Sequence, residues 1–366
     1  MDDARAAWTA LNLVLAYKRK LATLVLARFA DPIAIFRASA SDLSGLGLGP
    51  ETARRLFSPE NLDRGRRELE AAEAEGFRVI AFGDEAYPQT LREIFDPPLV
   101  LYVLGQPDVL METSLAVVGA RQPSAYGRAI AEDLSREAGR RGLVVVSGMA
   151  CGIDTQAHWG ALHEGRTIAV LGSGLDVIYP ALNRPLARKI AERGAVITEY
   201  PLGSKPLGFH FPLRNRIISG LSLAVVVVEA TLRSGSLITA RLALEQNRDV
   251  MAVPGSPASA LAAGTNWLIQ CGARLVARWE DVESELPDYI RVRLVRPEEA
   301  VSAKRPDLGP EEAAVLEALR PDAPLTVDDL VEATDFSVSE LLAILLGLEL
   351  KGAVVQSPGK KYLRRG

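Results

Sequence analysis

The chain has little of what staples small folds or holds metals: two cysteines and three histidines among 366 residues. A disulfide framework or a zinc cluster is therefore not expected. His158 and His163 stand five apart, off a common helical face, and read as helix-packing or surface histidines. Cys151 has no evident base beside it and reads as a small buried thiol. No apolar run reaches the roughly 18 residues a bilayer span needs. The opening stretch MDDARAAWTALNLVLAYKRK puts acids where a secretory signal carries bases, so a cytoplasmic, reducing setting is expected. Nucleotide signatures are missing too. GSGLDV has Val177 at the third glycine position of the dinucleotide fingerprint, and no Walker lysine follows a glycine loop. No GxSxG elbow surrounds Ser147 or Ser173.

What is present is a globular composition, 48% hydrophobic and 24% charged. The length exceeds one ordinary core. The net charge of −4 hides a gradient. Residues 1–110 carry 13 basic and 16 acidic side chains, residues 111–280 carry 18 and 13, and residues 281–366 carry 11 and 17. A basic body between acidic ends fits a polyanion site confined to the middle, or a solvated surface with chance imbalance.

Residues 1–70 read as a small helical domain. Asp42–Phe57 has a helix-hairpin-helix rhythm, with Gly45, Gly47 and Gly49 before Pro50, and is read mainly as a packing turn. Residues 75–285 hold the short apolar runs SLAVVGA, LVVVSGMA, TIAVLGSG, AVITEYPL, LAVVVVEA and DVMAVPGS, separated by helical stretches. Such runs suit a mostly parallel, doubly wound α/β sheet of about six parallel strands, covered on both faces. Residues 286–307 have the Pro and charge content of a linker. Residues 308–366 follow the winged-helix plan, but their third helix carries Glu340, Glu349 and Lys351 among many leucines. That helix suits core or partner contacts better than DNA reading, which would fall to Lys360, Lys361, Arg364 and Arg365 of the wing.

In an open parallel sheet the binding crevice lies beyond the carboxyl ends of the strands. The candidate turns there are Gly119, Arg121 and Ser124; Ser147 and Gly148; Lys205; Phe211, Arg214, Asn215 and Arg216; and Ser234, Gly235 and Ser236. Glycines admit a ligand, serines cap helices or donate to oxygens, and arginines offer a bidentate phosphate fork. Cations beside aromatics suit phosphates and unstacked bases. Asp154, Asp176 and Glu199 are as well suited to capping helices and orienting arginines as to acid chemistry. No catalyst is nominated, and no cofactor or metal is expected.

Seven ordered stretches, including VVGARQPSAYG, VVSGMACGIDTQAHWGAL, HFPLRNRIISGLS and VVVVEATLRSGSLITARLALEQNRDVMAVPGSP, resemble the DNA-processing protein A (DprA/Smf) family over residues 75–280. The resemblance implies an extended Rossmann-like fold that binds single-stranded DNA without base specificity. It further implies a homodimer that helps load the RecA recombinase in natural transformation, and no enzymatic activity. Carried over, the family's DNA pocket falls on Gly119, Arg121, Ser124, Ser147, Gly148, Lys205, Phe211, Arg214, Asn215 and Arg216, and Ser234 to Ser236 read as a further phosphate turn. Cys151 stands where the family often has a basic residue, and Trp267 where a basic or small residue is common. The N-terminal segment resembles a sterile-alpha-motif-like domain. RSGSLITARLALEQ is also similar to nucleoside-monophosphate phosphoribohydrolases, a rival reading in which Glu245 would be the acid.

Overall fold

A computed structural model describes residues 2–15, 18–29, 31–295, 308–319, 324–334, 336–351, 353–357 and 361–364. The chain divides into two compact units, residues 1–295 and 296–366.

The larger unit is built on one sheet. Its strands are β1 (Arg78–Ala81), β2 (Val100–Gly105), β3 (Ser114–Val118), β4 (Val144–Ser147), β5 (Thr167–Val170), β6 (Ala195–Thr198), β7 (Ala224–Val227), β8 (Asp249–Ala252) and β9 (Arg274–Leu275). Their order is β1-β2-β6-β5-β4-β3-β7-β8-β9. Strands β3 to β9 run parallel, whereas β1 and β2 join antiparallel at the β6 edge. The expected parallel set is thus present, lengthened by the short edge strand β9. The apolar runs alternate between two buried faces: Val225 and Val227 face one core, and Ala224 and Val226 the other. This is why the runs lack polar alternation.

Six helices precede the sheet: α1 (Asp2–Leu15), α2 (Arg19–Arg28), α3 (Pro32–Arg37), α4 (Ala40–Ser44), α5 (Pro50–Leu56) and α6 (Pro59–Ala74). Trp8, Leu11 and Leu15 share a core with Val100, Tyr102 and Val196, so these helices pack on the sheet. Leu43, Leu46 and Phe57 enter that same core, which makes Asp42–Phe57 a packing turn; Gly49 caps α5 and Pro50 takes its first position. Helix α7 (Gln89–Arg92) precedes β2.

Crossover helices α8 (Ala125–Arg140), α9 (Ile153–Glu164) and α10 (Arg184–Arg193) follow β3, β4 and β5, and α11 (His210–Leu221) leads into β7. Helices α12 (Gly235–Glu245) and α13 (Ala263–Gln270) follow β7 and β8, and α14 (Trp279–Glu285) and α15 (Asp288–Arg291) close the unit. Ala131 and Leu134 of α8 pack on one face of the sheet, and Ala240 and Ala243 of α12 on the other. The chain therefore leaves the neighbouring strands β3 and β7 in opposite directions, which opens a crevice at their carboxyl ends.

The smaller unit has helices α16 (Pro310–Ala318), α17 (Val327–Thr334) and α18 (Val338–Leu350), and an antiparallel sheet ordered β10 (Leu325–Thr326), β12 (Lys361–Arg364), β11 (Val354–Ser357). It is a winged helix. Leu341, Leu345 and Leu348 of α18 are buried, while Val338, Leu342 and Leu346 are 48%, 43% and 58% exposed. Of the expected wing cations, Lys361 and Arg364 are exposed, and Lys360 and Arg365 lie outside the described residues. No described helix is long and apolar enough to cross a membrane.

Candidate nucleic-acid interface

The crevice mouth is built from turns whose backbone is already satisfied by the chain's own side chains. After β3, Ser124 caps α8, accepting from the Gly127 amide at 3.0 Å. The Ser124 amide and hydroxyl both donate to the Glu229 carboxylate, at 2.9 and 2.6 Å. Glu229 follows β7 and is 6% exposed. A carboxylate thus occupies the helix N-terminus where a dinucleotide's pyrophosphate would sit. Gly127 leaves room for it, since a Cβ there would collide with Glu229.

The turn after β4 repeats the device. Asp154 is buried and accepts from the amides of Gly148 and Ala150 at 3.1 and 3.2 Å. Burial raises its pKa, and Arg214 opposes the rise. Ser147, expected to face a ligand, instead donates its hydroxyl to the Val117 carbonyl at 2.6 Å inside the sheet. Met149 is buried in the left-handed region at φ 60°, and Asn183 donates to its carbonyl at 2.8 Å. A Cβ on Gly119 would stand 2.7 Å from Ile153, so Gly119 serves the close approach of α9. Cys151, expected buried, is exposed.

The two arginines of α11 diverge. Arg214 is 4% exposed and donates to the carbonyls of Gly148, at 2.7 Å, and Val170. Burial first, and then the nearby Arg121, lower its pKa to about 10, against the pull of Asp154. Its Nε has no hydrogen-bond partner among the described residues. Arg214 is therefore a positive strut under the crevice and not an open phosphate fork. Arg216, expected in the pocket, is buried in an internal ion pair. It donates to both Glu199 carboxylate oxygens at 2.5 and 2.6 Å, and its Nε lies 3.2 Å from Asp96.

What remains open is cationic and aromatic. Arg121 is exposed, and its guanidinium lies 5.5 Å from the centre of the half-buried Phe211 ring. Tyr179, 47% exposed, comes within 5.6 Å of the same ring. Lys205 is exposed on the loop entering α11, and Asp176 clips that loop by accepting from the Gly203 amide at 2.8 Å. Arg121 and Lys205 have no ion-pair partner among the described residues. On the far wall Ser234 caps α12, with its hydroxyl 2.8 Å from that of Ser236, and Asn215 donates to the Gly235 carbonyl at 3.4 Å. Glu245 ends α12, about 15 Å along the helix from that wall at 1.5 Å rise per residue, and pairs with Arg241. It is not at the crevice, which removes the acid of the hydrolase reading. Sequence reasoning missed Glu229, Asn183 and Tyr179. The first two act through partners distant in sequence, and Tyr179 carried no signal beyond being aromatic.

The comparisons bear on the family and the fold. Residues 78–287 match the family described as DNA recombination-mediator protein A, and residues 298–360 match the DprA winged helix domain. Protein Smf of Synechocystis is 36% identical over 351 residues, covering 87% of this chain and 88% of the relative. The X-ray structure of DNA processing protein A from Streptococcus pneumoniae matches with a TM-score of 0.67 at 38% identity, covering 76% of this chain and 96% of that one. DNA processing protein A from Helicobacter pylori, whose structure concerns its single-stranded DNA binding mode, matches with a TM-score of 0.52 at 31% identity over 56% of this chain and 93% of its own. By its motifs, its sheet and its winged helix, the chain belongs to the DNA recombination-mediator protein A (DprA/Smf) family.

Proposed function

We propose that the crevice binds single-stranded DNA without base specificity, with Arg121 and Lys205 neutralising phosphates, Phe211 stacking a base, and Arg214 adding positive potential from beneath. The observation that carries this reading is Arg121, exposed and unpaired by acid, lying over Phe211 where the βα turns meet. The Glu229 and Asp154 carboxylates fill two of the backbone nests, which disfavours a mononucleotide or dinucleotide held there. Stacking faces and point charges do not read base edges, and the Asn215 amide is engaged with Gly235. Ser234, Gly235 and Ser236 form a secondary phosphate turn at the start of α12. Arg216 belongs to the support and not to the contact surface.

The bound DNA strand would be handed to a recombinase, RecA, during uptake of DNA, a reading supported by the family's description as a recombination mediator. A homodimer is supported by Trp267 of α13 and Leu275 of the edge strand β9, which are 47% and 50% exposed. The deciding experiment is a mobility shift with single- and double-stranded oligonucleotides of different composition. Retention of single strands in every composition supports the reading; release of free base from nucleoside monophosphates at catalytic rates would replace it with a hydrolase.

A further inference from the structure

The N-terminal helices reach the crevice at three points, none of them on its open surface. Arg19 of α2 donates at 2.8 Å to the carbonyl of Leu213, in the first turn of α11, and pairs with Asp96 at 3.0 Å. Asp96 in turn meets the buried Arg216 two residues beyond Arg214. Asn12 of α1 donates at 2.9 Å to the carbonyl of Glu199, the partner of Arg216. Glu68 of α6 accepts at 2.8 Å from the amide of Leu202, on the loop that carries Lys205. The segment that presents Lys205 and Phe211 is thus held from behind by α1, α2 and α6.

We infer that the N-terminal helices are a positioning platform for the crevice: through Asn12, Arg19 and Glu68 they set the Lys205 loop and the first turn of α11 for DNA without touching DNA. The inference rests on the crevice reading above. Its logic is pre-organisation, because a loop held in its binding geometry does not have to be ordered when the strand arrives. Positioning and plain electrostatics predict opposite signs at Glu68. Removing an acid beside a cationic mouth strengthens DNA attraction; removing a backbone clip frees the loop and weakens it.

Single-stranded DNA affinity of the full chain, measured across salt concentrations for Glu68→Ala, Glu68→Gln, Arg19→Ala and Arg121→Ala, separates these outcomes. Glu68→Ala is expected to bind roughly fivefold or more weakly with an unchanged salt slope, since no phosphate contact is lost. Glu68→Gln keeps an acceptor for the Leu202 amide and is expected to stay close to the wild type. Arg19→Ala is expected to weaken binding with the same unchanged slope. Tighter binding by both Glu68 variants, or wild-type binding by Glu68→Ala and Arg19→Ala with only a lowered melting temperature, would overturn the platform. Arg121→Ala guards the underlying reading. If it too binds like the wild type, the crevice assignment fails, and not merely the platform.

Discussion

Arg214 and Arg216 sit on one helix and show how much a side chain's partners decide. Arg216 gains a bidentate carboxylate and is held protonated; Arg214 donates to carbonyls and is pushed down to about 10 by burial, although Asp154 pulls the other way. Removing one partner of the buried pair leaves an uncompensated charge, so Glu199→Ala should lower stability by about 3–5 kcal/mol in denaturant unfolding. His158 makes a second residue-scale prediction. The Thr167 hydroxyl donates to the Val145 carbonyl, so it accepts from His158 Nδ1 at 2.7 Å, which leaves Nε2 bare and buried. Burial lowers the His158 pKa to about 3. The unfolded chain takes up this proton near pH 6.5 and the folded chain does not, so stability falls as pH drops from about 6.5 towards 3, by up to about 1.4 kcal/mol per pH unit. Unfolding free energies across that range should fall less steeply in His158→Asn. Equal slopes would place the acid sensitivity elsewhere.

At the scale of elements, the strands and crossovers could be read from apolar runs and glycine stops, because the pattern itself is the cause of burial on two faces. The position of the crevice, beyond the carboxyl ends of β3 and β7, follows from the strand order. What the sequence hid was which turns were already filled. Glu229 closes the α8 turn from 105 residues away, and Arg216 finds Glu199 and Asp96 at separations of 17 and 120. No local spacing encodes those pairings, so Ser124, Ser147 and Arg216 looked like ligand contacts when they are supports. Gly127→Ala should therefore disturb the start of α8 by driving Glu229 aside, with a loss of about 1–3 kcal/mol in unfolding free energy, read by denaturant unfolding. The winged helix gives the opposite expectation for DNA. The exposed arc of α18 carries Val338, Leu342 and Leu346 and no cation. Deleting residues 296–366 should leave the affinity for single strands and its salt dependence unchanged in a mobility shift; a loss on deletion would assign DNA contact to the wing.

For the whole molecule, the basic excess of residues 111–280 lies between acidic ends, and the crevice draws its open cations, Arg121 and Lys205, from that middle. On the proposed reading the charge of the whole chain says little about its partner, because the polyanion would meet one mouth and not the average surface. The most direct measurement is the salt dependence of single-stranded oligonucleotide binding for the wild type and for the Arg121→Ala, Lys205→Ala double variant. Each lost phosphate contact should flatten the slope of log affinity against log salt by about 0.7, so the double variant should bind more weakly with a slope shallower by about 1.4, whatever the base composition. Wild-type affinity and slope in the double variant would contradict a cationic crevice as the seat of DNA binding.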